Sequence, residues 1–105
     1  MLMGKTTFNY NKGDVIDFKL LSGEEIIARL DEDRSDEYVL MKPMALINTP
    51  NGGLGMMPSP IASDHVTPVM LNKHAVALHC KCKQSLAGQY IEKTTGITMP
   101  TSGLI

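Results

Sequence analysis

Four residues carry the chemistry this sequence offers most clearly: Tyr38, Asn72, Lys73 and His74. Single-stranded nucleic acid is held by stacking bases on aromatic rings and by cations along the backbone, each stacked base being worth roughly 1–3 kcal/mol. Tyr38 supplies a ring, and Asn72-Lys73-His74 supplies amide, ammonium and imidazole donors in consecutive positions. An alternative structural role is equally consistent with these types: Tyr38 fills the rim of a core and Lys73 is a solvated turn lysine.

Other clusters suggest less. His79, Cys80 and Cys82 are zinc-ligand types, but a tetrahedral site takes four ligands, and His65 and His74 lack ligand-like spacing. Burial of the two thiols in the core is the better reading, because alternation places Cys80 and Cys82 on the face of Val76 and Leu78. The acidic residues from Asp31 to Glu37 lack the glycine and spaced oxygens of a calcium loop and read as a solvated hairpin turn. The chain has no Gly-x-Ser-x-Gly motif and no phosphate-cradling glycine loop with lysine, so the expectation is no enzyme, no cofactor and no metal.

Composition limits the setting. A chain of 105 residues, 43% hydrophobic and 20% charged, fits one globular domain. Five aromatics leave the core to aliphatics and methionine. Ten basic and eleven acidic side chains give no long-range field toward nucleic acid, so any such contact must be local. The charge is uneven: seven carboxylates and two arginines lie between Glu24 and Glu37, whereas the second half carries Lys73, Lys81, Lys83 and Lys93 against Asp64 and Glu92. No stretch approaches the roughly 18 apolar residues of a membrane span, and the amino terminus lacks the apolar run of a secretory signal. With two unpaired cysteines two residues apart, this points to the cytoplasm and to no membrane partner.

The elements that must position these residues are mostly strands. After an arm over residues 1–13, Ile16, Phe18 and Leu20 alternate with Asp17 and Lys19, Ser22-Gly23 turns the chain, and Ile26, Ala28 and Leu30 alternate back. A third strand from Glu37 is interrupted at Pro43, where a bulge or bend is expected. Thr49-Pro50-Asn51-Gly52-Gly53 is a turn, and a fourth strand near Leu54 ends at Pro58 and Pro60 as an edge. Residues 59–68 read as loop, Val69–Leu71 as a short strand entering Ala75–Lys83, and Ser85 as the cap of a helix with Leu86, Tyr90 and Ile91 as its stripe and Gly96 as its stop. The expectation is a mainly β domain spanning 1–105: a five-stranded, strongly bent barrel over residues 14–83, a helix over 84–96 and a tail over 97–105. The Met56-Met57 patch beside Pro58 is assigned to core or subunit interface.

Phe18 to Gly23, Ile26 to Leu30 and Asp36-Glu37-Tyr38-Val39-Leu40 together resemble the first motif of the Sm-like (LSm/Hfq-type) family, whose barrel is of SH3 type. Lys73-His74-Ala75-Val76 resembles the second motif in its Hfq-type Lys-His form. The likeness covers residues 14–48 and 69–82. The whole chain, with Gly53 to Pro58 and the terminal helix, is most similar to the short Sm-like proteins of tailed phages, cyanophages among them. The resemblance implies a homo-oligomeric ring closed by strand pairing between subunits, binding RNA or single-stranded DNA, in the host cytoplasm if the chain is viral. The chain departs from the motifs at Asp31-Glu32-Asp33, at Val39 where many members have asparagine, and in lacking Arg-Gly in the second motif. A protein-interaction or scaffold module of the same fold is the alternative.

Overall fold

The computed structural model describes residues 10–64 and 66–95. The first nine residues of the arm, His65, the Gly96 stop and the tail lie outside the described residues. The remaining chain forms β1 (Val15–Leu20), β2 (Glu25–Asp33), β3 (Glu37–Asn48), β4 (Leu54–Pro58), β5 (Val69–Asn72), a 3-10 turn (Lys73–Ala75), β6 (Val76–Lys81) and α1 (Gln84–Thr95).

All strand pairings are antiparallel, in the order β4-β3-β2-β1-β6, with β5 also paired to β3. Strand β3 organises the sheet. Its first residues, Glu37 to Leu40, pair with β5, and its last, Met44 to Asn48, pair with β4. The chain is mainly β with one C-terminal helix, as expected, and differs from the expected five-stranded, strongly bent barrel in two respects. The sheet has six strands, because the 3-10 turn Lys73–Ala75 separates β5 from β6, which alternation alone reads as one strand with a short entry. It is also open, because no ladder among the described residues joins β6 to β4 or β5.

The turns follow from glycine chemistry. Gly23 has φ of 97° and Gly52 of 85°, a region that L side chains rarely adopt, and each closes a hairpin through an amide donated to the carbonyl three residues earlier, Leu20 and Thr49. The bend in β3 arises one residue before the proline. Lys42 has φ of 52°, and Lys42 and Pro43 together oppose the single residue Ala28, which is a β-bulge. A second register shift in the same ladder leaves Asp31 as the extra residue on β2.

Two cores lie on the two faces. On one, Ile16, Phe18, Ala28, Leu30, Tyr38 and Leu40 are buried together, with Tyr10, Leu20, Leu71 and Val76 against them. On the other, Ile27 and Met44 meet Tyr90 of α1, with Leu46, Met56, Cys82, Leu86 and Ile91 around them. A helix of 12 residues is marginal alone. Here its Leu86-Tyr90-Ile91 stripe docks on the sheet as the spacing predicts. The helix begins at Gln84, so Ser85 stands inside the first turn and does not cap it.

The cysteine expectation is also corrected. Leu20 pairs with Val76 but Lys19 with Leu78, so Ala77 is an extra residue and the side chains after it exchange faces. Val76 still packs on the Phe18 core, yet Leu78 is 68% exposed and Cys80 is exposed, while His79 stands opposite Phe18. Cys82 is half-buried against α1.

Candidate nucleic-acid interface

The corner containing the sequence-derived residues is built by β-pairing. Glu37 pairs with Asn72 and Tyr38 with Leu71, which joins the β2–β3 turn to the end of β5. The Lys73 amide then donates to the Asp36 carbonyl at 2.9 Å. Residues 35 positions apart in sequence thus become neighbours: Lys73 Nζ stands 4.6 Å from the centroid of the Tyr38 ring. An ammonium over a tyrosine face is a cation–π contact, worth about 0.5–1 kcal/mol where solvent reaches it.

Each of the four residues has a definite local role. Asn72 is extended, and its side-chain oxygen accepts the His74 amide at 2.8 Å, which starts the 3-10 turn. His74 is exposed on that turn. Lys73 Nζ donates to Asp33 Oδ1 at 2.6 Å, an ion pair open to water on both sides. Tyr38 is only 6% exposed, its ring 5.0 Å from Phe18 and 5.9 Å from His79 between centroids. Burial raises the Tyr38 hydroxyl above its usual range, Lys73 opposes that, and Asp33 adds to it.

The surrounding charges are loosely paired. Arg34 bridges Glu32 at 3.2 Å and Glu37 at 2.8 Å, contacts that keep its guanidinium protonated. Lys12 stands 3.6 Å from Asp31 and Lys81 3.7 Å from Asp14. Exposed pairs of this kind contribute at most about 1 kcal/mol, so a phosphate oxygen can replace the carboxylate at small cost.

Two residues join this corner that the spacing does not reveal. Tyr10 Oη and His79 Nδ1 are 2.7 Å apart, and their rings meet edge to face at 5.6 Å. His79 also touches Tyr38, so the rings run Tyr10–His79–Tyr38 with Lys73 beyond. Alternation assigns His79 to the face opposite Val76, and only the bulge at Ala77 reverses that. The link between Tyr10 and His79 spans 69 residues and leaves no local signal.

The opposite face has different chemistry. A cleft of about 510 Å³ is lined by Asp17, Glu25, Leu46, Leu54, Cys82 and Leu86 among others. Burial first, and then a hydrogen bond shared with Glu25 and its charge, push the Asp17 carboxyl up to about 7 against the pull of Lys19. Burial, with the Asp17 charge adding, pushes the Cys82 thiol up to about 11, so it stays protonated and is a poor nucleophile or ligand. Among the described residues no three histidine, cysteine or acidic side chains are gathered for a metal ion. No helix among them is long and apolar enough to cross a membrane. Compared with known proteins, the chain matches no family model and no curated protein.

Proposed function

We propose that this chain is a phage-type Sm-like subunit, non-enzymatic and cytoplasmic, that assembles into a homo-oligomeric ring and binds RNA or single-stranded DNA at the Tyr38-Asn72-Lys73-His74 corner. The observation that carries the reading is the 4.6 Å approach of Lys73 to the Tyr38 ring, which unites the two motif-like segments. Assembly is supported by the sheet margins. β4 and β6 each pair on one side among the described residues and expose Leu54 and Leu78, and unpaired margins of this kind are satisfied by a neighbouring strand. A ring would repeat the corner and raise avidity without new contacts.

Binding requires Lys73 to exchange Asp33 for phosphate. Fluorescence anisotropy with labelled oligo-uridine, oligo-adenosine and oligo-thymidine at low salt tests this. Binding that weakens with added salt and with Lys73→Ala supports the reading, and no binding by any of the probes removes the nucleic-acid part of it.

A second reading, a protein-interaction or scaffold module, is favoured by the same ion pair seen from the other side. Asp33 already neutralises Lys73, and the turn that carries Asp33 also holds Asp31, Glu32, Asp36 and Glu37. A protein partner that co-purifies after nuclease treatment, with no absorbance excess at 260 nm, would select that reading.

A further inference from the structure

Tyr38 has little ring surface to offer a base: it is 6% exposed, with Lys73 over the ring and Phe18 and His79 packed around it. The more accessible rings of the corner are His79, which is exposed and touches Tyr38, and Tyr10, which is half-buried and touches His79. Neither belongs to the fully buried part of the core: Tyr10 packs against the edge of the Phe18 cluster, and His79 is exposed. A hydrogen bond of 2.7 Å and an edge-to-face contact hold the two rings in a fixed relation. A pair of rings held in a fixed relation loses little conformational freedom when a planar ligand lands on it.

The polar edges suit the same ligand. In the tautomer in which the Tyr10 hydroxyl donates to Nδ1, the imidazole proton lies on Nε2, a donor for a base carbonyl or a phosphate oxygen. Lys81, two residues along β6 from His79, is held at 3.7 Å by Asp14, and Lys12, two residues from Tyr10, at 3.6 Å by Asp31. Both ammonium groups are largely exposed. Each lies two residues along the chain from a ring of the pair, in a loose ion pair that a phosphate can enter.

We infer that Tyr10 and His79 form the base-stacking platform of the interface, with Lys12 and Lys81 as its phosphate contacts and Tyr38 as the buried support beneath. The inference rests on the nucleic-acid reading above and changes which residues touch the ligand. Tyr38 then positions His79 and Lys73 and does not itself stack.

The test uses the full chain with fluorescein-labelled oligo-uridine and oligo-thymidine about 12 nucleotides long, within the usual range for a small β-domain. Tyr10→Ala and His79→Ala are each expected to weaken binding roughly fivefold or more, the loss of one stacked base. Tyr10→Phe, which keeps the ring, should lose less. In parallel, the His79 ring resonances, assigned with His79→Gln, should shift on titration of the unaltered chain, a readout independent of how the variants fold. If the chain binds, Lys73→Ala weakens it, and both ring variants bind normally with His79 resonances unmoved, the platform is wrong and the function stands. If the unaltered chain binds neither probe, both fall.

Discussion

Replacing Tyr90 with phenylalanine removes one oxygen and leaves the packing of the helix intact. That hydroxyl is fully buried, donates toward the Met41 carbonyl at 3.0 Å and the Lys42 carbonyl at 2.8 Å, and accepts from the Arg29 amide at 3.1 Å. These backbone groups sit where the bulge at Lys42 and Pro43 interrupts the β2–β3 ladder, so the hydroxyl takes the place of missing strand partners. Leaving a buried backbone group without a partner costs about 1–3 kcal/mol, and the Arg29 amide together with one carbonyl gives about 2–6 kcal/mol. A domain of this length has about 5–15 kcal/mol in all. Urea unfolding followed by circular dichroism should therefore show a midpoint lower by about 1–3 M at an unchanged slope of about 2 kcal/mol/M. Tyr90→Ala adds the cavity and should cost about 3–5 kcal/mol for the lost packing alone. A Tyr90→Phe midpoint equal to that of the unaltered chain, alongside a large loss in Tyr90→Ala, would refute the role given to the hydroxyl.

Other expectations bear on the interface and on the opposite face. Asp33→Asn frees Lys73 from its 2.6 Å partner and should tighten oligonucleotide binding up to about fivefold, read by anisotropy; unchanged or weaker binding would contradict the exchange. The Asp17 carboxyl, raised to about 7 in the fold from 3.8, binds its proton more tightly folded than unfolded. Its stabilising effect is complete below the unfolded value and is lost as pH rises through about 7, so Asp17→Asn should raise the melting temperature at about pH 8 more than at about pH 5. Equal effects at both pH values would show that the carboxyl is not held protonated. Cys80 is exposed and Cys82 half-buried with its thiol raised to about 11, so a thiol reagent should modify Cys80 first in the native chain, with mass spectrometry of the peptides as the check.

Much of the scaffold was legible in short-range pattern. The alternation of Ile16, Phe18 and Leu20, the Ser22-Gly23 and Asn51-Gly52 turns, the prolines that end β4 and the Leu86-Tyr90-Ile91 stripe each state a local preference that the fold obeys. What escaped was set by register. A single extra residue at Ala77 reverses every side chain after it, which moved Leu78 and Cys80 from expected core to surface and turned His79 toward Tyr38. The bulge gives no compositional sign, since alanine and histidine fit either face of a strand. The bend near Pro43 was visible, but its left-handed residue, Lys42, was not, because lysine carries no turn signature.

At the candidate site, the identity of Tyr38, Asn72, Lys73 and His74 was legible while their state was not. That Tyr38 is covered, that Asn72 is occupied with the His74 amide and that Lys73 is paired with Asp33 are consequences of β3–β5 pairing across a long separation. Tyr10 joins the corner through a contact that no local pattern encodes.

Native mass spectrometry of the purified full chain, before and after nuclease treatment, tests the central claim most directly. The account predicts an integer multiple of the chain mass, carrying nucleic acid that nuclease removes while the multiple persists. A lone chain, free of nucleic acid at every concentration, would contradict it.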